Sequence, residues 1–571
     1  MSVLRIFFSI SVSLIFYLPC LSASQINFRP AGEEIYVHTD RDIYISGEEM
    51  FFRLYMYPGK ENESLSRIAY LVLRNDKNTN IVSVAAEIEE SGTWGRIYLP
   101  DTLSTGIYQL TSFTSWMKNF GDDTFSNKSL MIINRFDKSM EAIQGGDNQT
   151  GYLKTVRAEE RSDKSRIIVN TCSSEYDINQ VAQIVIDPGR IDSMVYMSVA
   201  IVPEKSLLDP FGSQTTPSEE TSIPAEYPHI KEDQGFILSG RVTDARTDKG
   251  IDNVKVLLTT PGKKVTLKNT STHPDGRFYL LLNRFYEGRD LYITLDQDIE
   301  ENNLNIIIDE KTSLPARATG PVLVDNNTRE YILFSQDVVR VRKIYDPPPS
   351  NTQESLEKNN HHPPLVYSKP LHTIYPENFE HLNDFQEISR ELLRFIRIRK
   401  QNDIFQARML DQRSEYSFFS EEPAIFLDGL IINNINSIMH LASNDIERIE
   451  VHNYQWVFGD IIFPGILAVF TRNELYRHSN LPEPHTIFEN NELLQKSGCN
   501  IPNPLENPEH YTEKPDFRQL LFWEPGIILK NGSKYKSLFY TSELTGDFVV
   551  IVTGITSAGK KLWGVKEITV K

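Results

Sequence analysis

Three short stretches carry residue types whose spacing invites a chemical reading. Gly554-Ile-Thr-Ser-Ala-Gly559-Lys560-Lys561 nearly spells a phosphate-binding loop. Lys561 stands where a Ser or Thr must reach magnesium, and strand-like runs flank the segment, so a hairpin turn is expected instead. His229-Ile-Lys-Glu232 has a spacing that can put two ligands on one zinc ion. It lies in a polar stretch, however, and a zinc site needs a third ligand and an open position. His361-His362 are adjacent in a proline-flanked segment, and neighbouring residues rarely converge on one metal. No G-x-S-x-G nucleophile elbow occurs. The expectation is therefore no catalytic residue, no metal and no cofactor.

Binding chemistry has a better candidate. Residues 407–475 are rich in aromatics, and Tyr454, Trp456 and Phe458 alternate. Alternation on a strand puts all three on one face. Large aromatics are enriched both at interfaces and in cores, and the residue types alone leave both readings open. Tyr454, Trp456 and Phe458 are the expected partner-binding residues, with Trp456 as the leading anchor.

The elements that must position these residues are mostly strands. At 571 residues the chain is too long for one core. Its formal net charge of −18 argues against a nucleic-acid surface and suits a protein of an extracytoplasmic compartment. Residues 1–24 read as a secretory signal, with Arg5 as the sole charge, an apolar run from Ile6 to Leu18, and Ser22-Ala23-Ser24 before a cut at Gln25. A lipoprotein cut at Cys20 is the competing reading, but Tyr17-Leu18-Pro19 lacks the small residues such a site uses. No later stretch is apolar enough for a membrane helix. The mature chain keeps Cys172 and Cys499. An oxidising compartment permits a bridge between them, and two separate buried or free thiols are the alternative, which sequence alone does not decide.

Four segments resemble known families. The first is residues 34–58, with Tyr36-Val37-His38-Thr39-Asp40-Arg41, Tyr44 and Gly47-Glu48, together with the later run Leu99–Tyr108. It resembles the MG2-type β-sandwich of the α2-macroglobulin superfamily, as found in Bacteroidetes envelope proteins. Residues 154–210 are similar to a second macroglobulin-type sandwich. The resemblance raises the question of a thioester, which needs a Cys with a Gln three residues on. Cys172 and Cys499 both fail that test. Residues 235–310 carry Gly240-Arg-Val242-Thr-Asp244, Val254-Lys-Val256 and Asp275-Gly276-Arg277-Phe278. They resemble the carboxypeptidase regulatory-like domain, a transthyretin-like sandwich in which Asp275-Gly276 is expected to form a hairpin turn with φ > 0. Residues 380–475 carry Phe426-Leu427-Asp428-Gly429, Asp445-Ile-Glu-Arg-Ile-Glu-Val451 and Gly465-Ile-Leu-Ala-Val-Phe-Thr471. They resemble the plug domain of TonB-dependent receptors. Receptor plugs are Gly/Ala-rich where this chain has the bulky Tyr454–Pro464 stretch, and too little sequence follows Thr471 for a receptor barrel.

The expected fold class is mostly β: tandem β-sandwiches, macroglobulin/Ig-like and transthyretin-like, with a small α+β plug-like domain. The expected units are a signal at 1–24, sandwiches at 26–136, 154–210, 235–310 and 510–571, linkers at 211–234 and 340–379, and the plug-like domain at 380–475. A helix is expected over Glu380–Lys400, from apolar residues at Leu382, Phe385, Ile388, Leu392, Leu393 and Ile396. The function these features predict is a non-enzymatic envelope scaffold, in the periplasm or at the outer membrane, with the plug-like domain holding a protein partner. Two alternatives stay open: an accessory subunit docking on an outer-membrane barrel of a TonB-dependent system, and a glycan-binding or hydrolytic protein with a site between domains.

Overall fold

The Tyr36–Glu48 motif folds as a corner packed with charge. In the computed structural model, strand Glu33–Thr39 ends at Asp40-Arg41-Asp42, strand Ile43–Ile45 follows, and a Ser46-Gly47 turn leads into strand Glu49–Pro58. Gly47 has φ +85°, and a Cβ there would meet the Asp101 carboxylate. The corner is buried although it is ionic. Arg41 pairs with Glu48 at 3.1 Å and Asp40 at 3.4 Å, and Lys128 pairs with Asp42 at 2.7 Å. Asp40 also accepts from Tyr44 Oη and from the Phe51 backbone N–H. Burial pushes the Asp40 carboxyl up to about 6, against the opposing pull of Arg41. Buried charges of this kind persist only where their partners are complete.

The structure describes residues 32–58, 65–89, 92–137, 167–208, 228–282, 290–296, 304–316, 326–345, 366–473 except short interruptions, 485–488 and 515–571 except 531, plus three two-residue strands. The signal at 1–24, His361-His362 and Cys499 lie outside the described residues. Cys172 is exposed.

The chain is mostly β and builds tandem double-sheet units. The first unit packs strands Glu33–Thr39, Glu49–Pro58 and Gly92–Tyr98 against a sheet containing Ile43–Ile45, Ser126–Ile133, Gly106–Phe113, Ile68–Arg74 and Asn80–Glu87. The third packs Arg277–Leu282, Phe236–Asp244 and Leu304–Ile308 against Lys268–Ser271, Lys255–Thr259 and Leu291–Leu295, with the distant strand His485–Phe488 added at the edge. One continuous apolar core runs through both units. Two buried carboxylates pin them at their boundary. Glu232 accepts from Tyr70 Oη at 2.8 Å and pairs with Lys311 at 3.4 Å. Glu33 accepts from Ser66 and Thr114 within the first unit and pairs with Lys231, which precedes the third, at 3.5 Å.

Four expectations need correction. Residues 154–210 and 510–571 are not separate sandwiches. Val195–Pro203 lies between Phe522–Leu529 and Gly546–Thr556, and Val181–Asp187 pairs with Tyr535–Tyr540. Neither segment has enough strands to close a core alone, so they close one between them. The helix expected over 380–400 is confined to Phe385–Glu391, capped by the Asp384 side chain on Glu387 N–H. From Ile396 the pattern Ile-Arg-Ile-Arg has period two with β-branched residues, and it forms strand Ile396–Gln401, paired with Ile404–Met409. The expected 340–379 linker contains strand His372–Ile374, which completes the plug-like sheet, so that unit starts before 380. A 20-residue helix, Asn326–Tyr345, is expected nowhere in the sequence reading, and its last residues run into the expected 340–379 linker. Its Ile332 and Val339 pack on Ile43, Ile45 and Ile133 of the first unit, and Ser335 hydrogen-bonds Gln519 of the second.

Asp275-Gly276 is a turn with Gly276 at φ +81°. It joins strands of the two opposing sheets rather than two neighbours in one sheet. Thr556–Lys561 is a strand–turn–strand hairpin, closed by Gly559 N–H on the Thr556 carbonyl.

Candidate functional site

The unit over 372–471, kept under the label plug-like from the sequence expectation alone, is a five-stranded mixed sheet in the order His372–Ile374, Ile446–His452, Ile466–Thr471, Ala424–Leu427, Leu430–Ile432. Phe385, Ile388 and Ile435 cover one face. The other face carries Phe426, Ala468 and Phe470 and meets Leu257, Val265 and Leu267 of the regulatory-like sandwich. Polar contacts fix the joint. Gly262 N–H donates to the Asp428 carbonyl at 2.8 Å, Lys263 pairs with Glu447 at 2.7 Å, and Arg448 donates to the Lys263 carbonyl at 2.6 Å.

Trp456 and Phe458 share one face of strand Trp456–Phe458, and that face turns inward; Tyr454 lies in a bend before the strand. Trp456–Phe458 pairs with Ile461–Phe463 in a short hairpin, and Trp456 and Phe458 pack half-buried on the Leu257–Phe426 cluster. Tyr454 stacks obliquely on Trp456 with centroids 5.5 Å apart. The outward face belongs to Val457 and Ile462, cross-strand partners that are 64% and 53% exposed. Sequence reasoning found the strand and its alternation and missed which face the fold would cover. The aromatic face is bulkier and buries more area, which is the signal that could have decided it.

Beneath these rings lies His452, fully buried, its ring 4.0 Å from that of Tyr367. Neither ring nitrogen has a partner among the described residues. Burial lowers its pKa to about 4, against the pull of Glu450 and with the help of His372, so the ring is neutral at pH 7. Glu450 itself is held by Tyr367 Oη at 2.7 Å and Arg448 at 2.7 Å.

A cleft of about 580 Å³ opens where this hairpin meets the regulatory-like sandwich. Leu257, Ile431, Ile461 and Phe463 supply apolar lining. The charged lining is Asp296 from the sandwich, and Arg408, Glu421 and Glu422 from the plug-like unit. Burial raises the Glu422 carboxyl above its ordinary range, while the Ala407 N–H and Arg408 pull it back. These four residues are scattered through the sequence, and only the docking of the two units brings them together. Such a cleft can hold a ligand with both apolar and charged parts.

Two other polar groupings are enclosed. His38 Nδ1 lies 2.6 Å from Ser198 Oγ, which is 2.6 Å from Tyr55 Oη, an arrangement with the parts of a nucleophile and base. His38 and Ser198 are both buried, and their bonds join the first unit to the second. Glu232 of the His229-x-x-Glu232 pair is spent on Tyr70, Lys311 and the Ile237 N–H.

No family model matches the chain, and no curated protein matches it. Among solved structures it is similar to Salmonella α2-macroglobulin reacted with methylamine, at 8% identity and TM-score 0.23, over 94% of this chain and 39% of that one. Trypsin-activated Escherichia coli α2-macroglobulin matches at 9% identity and TM-score 0.23, over 96% and 42%. The same protein activated by porcine elastase matches at 7% and 0.23, over 94% and 44%. The chain spans about two fifths of the length of these structures.

Proposed function

We propose that the protein is an exported, non-enzymatic scaffold of a bacterial cell envelope, built from macroglobulin-type and regulatory-like sandwiches, whose plug-like unit holds a protein partner. The observation that carries the reading is the hairpin at 456–463. Its aromatic face is used up in anchoring the plug-like unit, and its other face presents Val457 and Ile462 to solvent beside a charged cleft. Apolar side chains held rigidly in the open, ringed by polar residues, are typical of contact sites. The buried ionic corner at 40–48 supports the scaffold role, because Arg41 donates to Gln519 and the Asp42 carboxylate accepts from Leu208 N–H, both in the second unit.

The test is affinity capture from solubilised envelopes with the wild-type chain and a V457E/I462E variant. Capture of a defined partner that the variant loses, at an unchanged melting temperature, supports the reading. Equal capture by both chains removes the hairpin from it. An outer-membrane barrel as the partner would specify the accessory-subunit form of the same role.

A further inference from the structure

The hairpin of strands Ile396–Gln401 and Ile404–Met409 has two faces of opposite character. Ile396, Ala407 and Met409 are buried in the core of the plug-like unit, and Ile398 and Phe405 pack against it. The other face is exposed. It carries Arg397, Arg399 and Gln401 on one strand and Ile404, Gln406 and Arg408 on the other, with no carboxylate among them. The run 390–400 adds Arg390, Arg394 and Lys400, with Glu391 as its single acid, in a chain whose formal net charge is −18.

Two further observations set these arginines apart from an ordinary solvated face. Arg397 and Arg408 are direct cross-strand partners. Like charges placed directly opposite destabilise a sheet, so this pair works against the fold. The Arg397 guanidinium also lies over the Phe418 ring, 4.0 Å from its centroid. Stacking of this kind holds the group in place and leaves its N–H donors open to an anion. Among the described residues, Arg397, Arg399 and Arg408 close no ion pair. Arg408 shares the cleft with Glu421 and Glu422 and acts on the Glu422 carboxyl through space, without a salt bridge to either.

We propose that this arginine face receives an extended acidic segment of the protein partner, with carboxylates at alternate positions. One carboxylate lies between Arg397 and Arg408, and the next meets Arg399. Alternate residues of two extended chains repeat at the same interval, about 7 Å, so the charges stay in step. Guanidinium–carboxylate pairs are charge-assisted and can be bidentate. Gln401 and Gln406 offer amide donors and acceptors to the segment's backbone. A protein segment suits the charge distribution better than an anionic membrane. The segment touches the hairpin alone, whereas a planar lipid surface faces a whole flank of a chain with net charge −18. The face also continues the proposed contact surface, because Arg408 and Ile462 line the same cleft. The inference rests on the scaffold reading and adds the chemistry of the partner's contact segment.

The test uses the full chain and a fluorescent hexapeptide of alternating glutamate and valine, with alternating glutamine and valine as control. Anisotropy should show binding of the glutamate peptide only, weakening several-fold when salt rises from low to physiological strength. R397Q/R399Q/R408Q should weaken it about tenfold or more at an unchanged melting temperature. R408Q alone separates binding from structure. It should weaken the peptide while the melting temperature holds or rises, since a like-charge pair is removed. Equal binding of both peptides, affinity untouched by the triple variant, or a lower melting temperature for R408Q overturns the proposal. Sedimentation of the chain with phosphatidylglycerol vesicles, without binding of the peptide, would assign the face to lipid and overturn it as well. Envelope capture with the triple variant separates the two ideas. A partner retained by the triple variant but lost by V457E/I462E leaves the scaffold reading standing and removes this one.

Discussion

His452 is a buried residue whose environment opposes its ordinary chemistry. It is enclosed by Tyr367, Tyr454 and Trp456 with two unpartnered ring nitrogens. Its folded pKa of about 4 lies below the ordinary value of 6.5. The stability tied to the neutral ring is therefore complete above pH 6.5. It is lost as pH falls toward 4, because the unfolded chain takes up the proton first. The loss should be roughly 3 kcal/mol across that window. H452F should melt at or above the wild-type temperature at pH 7, and the wild-type–variant difference should widen steadily on acidification. A difference independent of pH would show that the ring titrates normally. Trp456 gives a second expectation. Because it packs half-buried on Leu257 and Phe426, W456A should cost about 2 kcal/mol of stability, less than for a fully buried tryptophan. A normal melt would place the ring outside that cluster. At this scale the sequence was partly legible. The alternation of Tyr454, Trp456 and Phe458 was visible, while the burial of His452 depends on Tyr367, a residue far away in the chain.

Elements were most legible where a strand's pattern answers to its own neighbours. Alternation puts strands at Ile68–Leu73, Ile81–Ile88 and Ile107–Thr114, and they form at Ile68–Arg74, Asn80–Glu87 and Gly106–Phe113. The failure at Ile396–Gln401 has a local cause: helical spacing of the apolar residues through Leu393 overlaps a period-two run, and the hairpin partner Ile404–Met409 decides between them. The helix Asn326–Tyr345 is held by contacts with two units, with Leu333, Phe334 and Ile344 left exposed, so its amphipathic signal is blurred. The Asp275-Gly276 turn was legible because its chemistry is local. Gly276 has φ +81°, and a Cβ there would lie 2.4 Å from the Val242 carbonyl oxygen. G276V should therefore destabilise the regulatory-like sandwich by about 2–4 kcal/mol, through backbone strain plus a clash that backbone cannot relieve. Thermal melts of the full chain decide it. The whole chain is needed because strand His485–Phe488 completes the sheet, and a 235–310 fragment lacks it. An unchanged melt would mean the turn adopts another conformation.

Across the whole molecule the defining feature is a sandwich made from two distant segments. The order of units along the chain hides it, since each segment separately reads as strands with the right alternation. Ile184, Val199 and Ile201 from the earlier segment share one core with Phe539, Val550 and Val552 from the later one. Everything between 209 and 514 is thus inserted into a unit that closes only when the last residues arrive. The first unit reads that closure directly. Arg41 donates to Gln519 Oε1 at 3.0 Å, Asp42 N–H donates to the Ser206 carbonyl, and Phe51 packs near Trp523. Two consequences can be measured. R41M removes the cation from Asp40 and Glu48 and leaves buried carboxylates unpaired, which should cost about 3–5 kcal/mol. Truncation after residue 514 tests the topology itself. Val195–Pro203 then loses both neighbouring strands, and Val181–Asp187 keeps only Ile168–Thr171. Hydrogen exchange should show the amides of 195–203 unprotected in the truncated chain. Amides of 236–244, paired within their own sheet to 277–282, should stay protected. Retained protection across 195–203 would mean that the early segment folds alone, and that the first unit's ionic corner forms without its partner.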